Sequence, residues 1–347
     1  MRRLVLLLGL FLVACGDQTP GGGGGSGGTA GTGGAGAGGA GGLGGAGGLG
    51  GAGGAGGAGG ADAGDAGGSD GSGQFPPPTP DDCITDVSAG DHQYTCDGLT
   101  FDVAVADACL TAPCGLVVDV HGYSMSGRME DDNTNMRALG RQHGYLVVQP
   151  NAPGNPPLAG WSASNDDMVF AFMQRVARVF HLDPMRWHFT GFSQGGLMTW
   201  RFVCAHADVL ASAAPGAGTD CSQVPTTQLD TLVLHGTHDN LVSFSQAAAR
   251  RDAVIAAWNM GPAEPVAGDS MYTWTRWRNP NGTTFEFLQH DYLAAGSGAS
   301  ILGGHCFPGS QDMGGQPGQL FPFACAGPNG FVWGEAAMNF FIAHPRR

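Results

Sequence analysis

"HFTGFSQGGLMTW", residues 188–200, decides how the chain is read. A β-prone run meets Gly191, a serine follows at 193, and Gly195 and Gly196 open an apolar stretch of helical character. Glycine lets backbone segments approach where a Cβ would clash, so glycines at 191 and 195 suit a tight strand-to-helix turn. A serine at its apex would stand beside the N–H groups and positive dipole end of a helix. In a chain with 63 glycines, however, a G-x-S-x-G pattern also arises by chance. The surrounding sequence has to show whether Ser193 is a nucleophile.

On both sides, short apolar β-rich runs alternate with longer segments of helical spacing. "GLVVDVHG" (115–122), "YLVVQPNAP" (145–153), "RWHFTG" (186–191) and "TLVLHG" (231–236) read as buried strands stopped by glycine or proline. "MRALGRQHG" (136–144), "DDMVFAFMQRVARVF" (166–180), "QGGLMTWRFVCAHA" (194–207), "FSQAAARRDAVIAAWN" (244–259) and "GEAAMNFFIAH" (334–344) read as helices. "MYTWTRW" and "TTFEFLQHDY" flank "RNPNG" (278–282) as a hairpin or close-set turn. The alternation predicts an α/β domain with a mostly parallel sheet and helices on both faces. In such sheets the working residues lie past the carboxyl ends of strands.

Three strand ends carry chemistry. Ser193 follows one, Asp239 in "HGTHDN" follows another, and His305 lies in the glycine- and proline-bounded loop "GGHCFPG". A neutral serine hydroxyl is a poor nucleophile. It needs an imidazole to take its proton and a carboxylate to orient that imidazole and stabilise its cation. "HGYS" (121–124) ends a further strand, where backbone N–H groups can face a developing oxyanion; Tyr123 and Gln194 are the expected donors.

The order Ser193, Asp239, His305 is the one α/β-hydrolases use. The series "VVDVHGY", "YLVVQPNAP", "HFTGFSQGGLMTW", "LVLHGTHDNLV" and "GGHCFPG" resembles that superfamily, from about Gly115 to the C-terminus. Within it, the chain is similar to secreted polyhydroxybutyrate depolymerases and to feruloyl and acetylxylan esterases of carbohydrate esterase family one. The resemblance implies a single α/β-hydrolase domain and catalytic roles for Ser193, Asp239 and His305. Family members often have tryptophan after the loop histidine–cysteine pair. Phe307 stands there instead, which puts the shape of the pocket, not the triad, in question. Trp161 in "AGWSAS" matches a tryptophan region of the family, so Trp161 and Phe307 are the candidate pocket residues, with ordinary loop packing the alternative for Trp161.

Other polar residues read as structural. His121 and His235 precede glycines at strand ends and are expected to hydrogen-bond within their loops. His238 is expected to face solvent. Asp166 and Asp167 suit a helix start. Trp274 and Trp277 alternate along a strand and suit packing.

The amino terminus is of another kind. Arg2 and Arg3 precede an apolar run too short to span a bilayer, as in a secretory signal. "LVAC" (12–15) resembles a bacterial lipobox, so residues 1–14 are the expected signal and Cys15 the expected lipid anchor. Residues 16–73 hold 33 of the 63 glycines. Proline is absent between Gly21 and Phe75, which argues against collagen and for a flexible tether spanning roughly 40 Å. With "FPPPTP" (75–80) the tether is expected to run to Pro80, and the catalytic domain to occupy 81–347.

The formal charge is −14, carried by 29 acids against 15 bases, which excludes nucleic acid and anionic surfaces as natural partners. The other eight cysteines, Cys83, Cys96, Cys109, Cys114, Cys204, Cys221, Cys306 and Cys325, read as disulfides of an exported protein. Eight cysteines allow 105 pairings; neighbour pairing is the expectation. No spacing suits zinc, and no cofactor motif is present, so neither metal nor cofactor is expected.

The leading expectation is therefore an exported, lipid-anchored serine esterase, probed best with soluble polyester oligomers or small esters, and a monomer. Feruloylated or acetylated plant polysaccharide is the alternative substrate. A non-catalytic surface-binding lipoprotein would have lost a triad member, and none is lost. A peptidase of this superfamily would carry additional domains.

Overall fold

Six buried residues, "GLVVDV", form β3 (Gly115–Val120) and set the pattern of the sheet. Leu116, Val118 and Val120 enter one apolar cluster, while Val117 enters another. Successive side chains of a strand point to opposite faces, so a strand covered on both sides reads as an unbroken apolar run. The same division occurs in β4 (Tyr145–Asn151), where Leu146 and Val148 oppose Val147, and in β7 (Asp230–Gly236), where Val233 opposes Leu232 and Leu234.

The structure is a computed structural model describing residues 75–219, 221 and 223–347. The expected signal segment, Cys15 and the glycine-rich stretch lie outside the described residues. The remaining strands are β1 (Gly90–Cys96), β2 (Leu99–Val105), β5 (Trp187–Phe192), β6 (Ser212–Gly216), β8 (Glu264–Gly268), β9 (Tyr272–Arg278) and β10 (Thr284–His290). They form one ten-stranded sheet in the order β1-β2-β4-β3-β5-β6-β7-β10-β9-β8. The six central strands are parallel, and antiparallel strands extend both edges. This is the α/β-hydrolase fold.

The helices are α1 (Gly127–Thr134), α2 (Met136–His143), α3 (Asp166–Val179), α4 (Gln194–Ala205), α5 (Phe244–Ala257), α6 (Ala299–Leu302) and α7 (Trp333–Ala343). On one face α3, α4 and α5 bury Phe172, Val176, Met198, Phe202 and Val254 against the sheet. On the other, α1, α2 and α7 bury Met129, Met136, Met338 and Phe341. The Arg201 guanidinium grips Asp166 with two nitrogens, at 2.6 and 2.8 Å, and so ties α4 to the start of α3.

Four disulfides join Cys83–Cys96, Cys109–Cys114, Cys204–Cys221 and Cys306–Cys325. Phe75–Pro80, expected as the last part of the tether, lies against the domain instead. Phe75 packs edge-on to His181, and the Thr79 N–H donates to Val179 O at 2.9 Å. An aromatic ring that finds a partner and a backbone donor that finds an acceptor hold the segment down. Among the described residues no helix is long and apolar enough to cross a membrane.

Candidate active site

The parallel centre of the sheet brings the loops after β3, β5, β7 and β10 to one edge. Each carries one part of the site.

Ser193 lies between β5 and α4 with φ 57° and ψ −116°, a conformation side chains rarely adopt. Its N–H is held by Gly216 O at 2.9 Å, at the end of the neighbouring β6. The turn tolerates no bulk. A Cβ on Gly191 would come within 2.6 Å of Val120 O, and one on Gly195 would collide with the same oxygen. Ser193 thus stands at the apex of a tight, strained strand-to-helix turn. Ser193 is only 3% exposed, yet its Oγ has no hydrogen-bond partner among the described residues.

Asp239 follows β7 on a turn that points its carboxylate inward. Oδ1 accepts the Leu241 and Val242 N–H groups, both at 2.8 Å. Oδ2 meets His305 Nδ1 at 2.7 Å. Burial alone would raise the Asp239 pKa, but attraction to His305 and the hydrogen bonds outweigh it and hold it below the usual carboxylate value. The carboxylate therefore stays ionised, and the His305 Nδ1 proton is fixed on it. That leaves Nε2 as the other end of the ring, buried and without a partner among the described residues. Ser193 Oγ and His305 Nε2 are thus both buried without a partner among the described residues.

The loop of His305 is held from several sides. Gly304 N–H donates to His238 O at 2.7 Å, and Gly303 pairs with Asp239 as an isolated bridge. Cys306, the next residue, is bound to Cys325. The His305 ring lies 4.8 Å from that of Phe192, the residue before Ser193. Phe307 is fully buried and stacks on Phe192 at 3.9 Å. It backs the site from within and lines no open pocket, contrary to the sequence expectation; its ring is drawn into the apolar cluster that supports the elbow.

The expected oxyanion donors come from two places, Tyr123 in the loop after β3 and Gln194 at the start of α4. Gln194 is the first residue of α4, so its N–H has no carbonyl one turn earlier within the helix. Tyr123 lies one residue past Gly122, where an added Cβ would press on Ser193 Cβ at 3.1 Å. This segment is braced by His121, whose Nε2 accepts the Ala152 N–H at 3.0 Å. Its Nδ1 therefore carries the proton and donates to Gly122 O at 2.7 Å. Burial drives the His121 pKa down to about 4, so the ring is a neutral brace.

Trp161 takes part in loop packing, one of its two expected roles. It is 8% exposed, its indole N–H donates to His121 O at 2.9 Å, and its backbone N–H donates to the Gln194 side chain at 2.8 Å. Trp161 ties the loop after β3 to the start of α4. The Gln194 side chain was not foreseen as a tie, because nothing in "FSQGG" signals a partner 33 positions away.

The other residues read as structural hold the surrounding framework. His238 is exposed. His235 is fully buried and its Nε2 meets Val242 O at 2.9 Å. The Trp274 indole N–H donates to Glu286, and Trp277 packs on Phe285. His290, Cys306 and Cys325 could be mistaken for a metal cluster, but both sulfurs are committed to a disulfide.

No family model matches the chain. In sequence it is similar to the bifunctional acetylxylan esterase/xylanase XynS20E of Neocallimastix patriciarum, 22% identical over 175 residues, or 49% of this chain and 25% of the relative. It is also similar to feruloyl esterase B of Piromyces equi, 27% identical over 146 residues, or 38% of this chain and 27% of that protein. The chain thus spans about a quarter of the length of these curated relatives. Among solved structures, an acetyl xylan esterase from Aspergillus awamori aligns with a TM-score of 0.48 at 15% identity, covering 58% of this chain and 93% of that one. A thermostable esterase aligns with a TM-score of 0.47, also at 15% identity, covering 74% and 63%. The strand order and the sequence matches agree on a chain that resembles the α/β-hydrolase superfamily, with likeness to feruloyl and acetylxylan esterases.

Proposed function

We propose that the protein is a carboxylic-ester hydrolase working through an acyl-enzyme on Ser193. The observation that carries this reading is the His305–Asp239 pair at 2.7 Å, with His305 Nε2 and the elbow Ser193 Oγ both buried and unpartnered. His305 Nε2 takes the Ser193 proton as Oγ bonds to the ester carbonyl carbon. The carbonyl electrons move onto oxygen, which faces the N–H groups of Tyr123 and Gln194. Collapse of this intermediate breaks the bond to the alcohol, and the imidazolium returns its proton to the leaving oxygen. Water then repeats the sequence on the acyl-enzyme, releasing the acid and restoring Ser193.

For substrate, the feruloyl and acetylxylan esterase names of the curated relatives favour esters of plant polysaccharide. The motif resemblance to polyhydroxybutyrate depolymerases supports hydroxyalkanoate oligomers as the second reading. Four disulfides suit an exported protein. The "LVAC" motif supports anchoring through an acylated Cys15. Cell fractionation tests this, and unacylated protein beginning downstream of Cys15 in the soluble fraction would refute the anchor.

The activity is tested by comparing wild type with Ser193→Ala on p-nitrophenyl acetate, methyl ferulate, acetylated xylan and soluble hydroxybutyrate oligomers. Wild type is expected to hydrolyse the small ester and to prefer the polysaccharide-type esters, with Ser193→Ala inactive on all. Equal activity of the two proteins would refute the esterase mechanism; preference for the oligomers would replace the substrate reading.

A further inference from the structure

Asp239 has a second imidazole beside it. His235 Nε2 lies 3.6 Å from Asp239 Oδ2, the oxygen that His305 uses. Nε2 is also 2.9 Å from Val242 O, a carbonyl that can only accept, so Nε2 carries the proton of the neutral ring. Val242 N–H in turn donates to Asp239 Oδ1 at 2.8 Å. His235, Val242 and Asp239 therefore form a closed loop: imidazole to carbonyl, amide to carboxylate, carboxylate back toward the imidazole. His235 ends the buried strand β7 and is fully buried, so its ring is held by the core while the turn it braces carries the acid.

We infer that His235 is a positioning residue, which fixes the Val242 peptide and through it the carboxylate that orients His305. The inference rests on the triad reading above. The titratable groups facing His235 are Asp239 on its own turn, His305 from the loop after α6, and His290 from the end of β10. Burial lowers the pKa of both His235 and His290, the latter to about 4, so neither adds a positive charge at neutral pH. His235 acts through its N–H, not through charge. A protonated His235 would compete with His305 for the same oxygen; a neutral one steadies the carboxylate and leaves the full counter-charge to His305.

The test uses His235→Leu, which fills the space without a donor, and His235→Gln, whose side-chain amide nitrogen reaches the place of Nε2. His235→Asn, whose shorter amide does not reach Val242 O, serves as a second donor-deficient variant should the leucine protein not fold. On p-nitrophenyl acetate, kcat of the leucine and asparagine variants is expected to fall about tenfold to a hundredfold, the scale of a small misplacement in an active site, with KM little changed. Their acid limb of kcat against pH should move to lower pH, because an imidazolium facing a loosened carboxylate is less stabilised. His235→Gln should restore both kcat and the limb. Unchanged kcat and limb in a folded leucine or asparagine variant would overturn the inference, as would a glutamine variant as impaired as the others at equal melting temperature. Wild type and Ser193→Ala run alongside: an active wild type with a dead Ser193→Ala upholds the triad reading whatever the His235 variants do.

Discussion

Ser193 holds a backbone conformation that costs of order 1–3 kcal/mol and presents a buried hydroxyl without a protein partner. Neither feature helps the fold, and both suit a nucleophile aimed at a space that substrate must fill. His305 is the complement. Its Nδ1 side is fully committed to Asp239, so its Nε2 is the only end left for chemistry. On the proposed mechanism the three residues act as a unit, and removing one leaves little for the others to do. Ser193→Ala, His305→Ala and the double variant are therefore expected to lose several orders of magnitude in kcat/KM and to share one residual level. Asp239→Asn should fall less far. A double variant whose loss equals the product of the single losses would show that the residues work independently. At this scale "GFSQG", "HGTHD" and "GGHCFPG" pointed to Ser193, Asp239 and His305, and the structure places Ser193 in a tight turn and joins Asp239 to His305. For Trp161 the sequence left pocket wall and loop packing both open, and for Phe307 it did not foresee full burial against Phe192. Whether an aromatic ring lines a cleft or supports it depends on loops packed from elsewhere in the chain.

At the scale of elements, the join between α1 and β3 holds a feature that no pattern announces. Glu130 on α1 and Asp119 on β3 are both fully buried and interact with one another. Asp119 Oδ2 accepts from Thr134 and Gln149, each at 2.9 Å, whereas both Glu130 carboxyl oxygens lack partners by ordinary hydrogen-bond geometry. Burial, followed by the nearby Asp119 charge, raises the Glu130 pKa well above its usual 4.5, and burial raises that of Asp119 to about 6. A folded-state pKa above the unfolded one means that the folded protein holds its proton longer. The associated stability is complete below the unfolded value and is lost as pH rises through the folded one. Melting temperature should thus decline from pH 5 to pH 8 more steeply in wild type than in Glu130→Gln, which stays neutral throughout. The difference should amount to a few degrees, at about 2–4 °C per kcal/mol in a domain of this size. Parallel declines would show that Glu130 does not hold its proton in the fold.

The same region shows why some elements were hard to read. "GRMEDDNT" has one large apolar residue, so α1 gives little helical signal, although Ser126 caps it by accepting the Met129 N–H. β6, "SAAPG", is built from small residues and proline and is a poor strand by propensity. It is a strand because β5 and β7 pair with it on both sides. β1 and β2 precede the stretch in which the resemblance was visible, and β8 is a short exposed edge. β3, β4, β5 and β7 were legible because a strand buried on both faces must be apolar throughout. α3, α4 and α5 were legible through their spacing, and the β9–β10 pair through the turn between them.

For the whole molecule, the site exists only because the sheet order brings distant loops together. His121 and His305 are far apart in sequence, yet β3 and β7 are separated by only two strands, and β10 follows β7 directly. The four disulfides each close a short local loop, with separations of 5 to 19 residues, and the last braces the residue next to His305. The central claim is that this assembly activates one serine. A fluorophosphonate probe tests it directly, since such a reagent reports the activated hydroxyl without requiring the natural substrate. After labelling, denaturation, reduction and tryptic digestion, the peptide from Trp187 to Arg201 contains Ser193 as its only serine. The account predicts one label per chain, on that peptide, and none in His305→Ala. A label on any other peptide, or equal labelling of the His305→Ala protein, would contradict it.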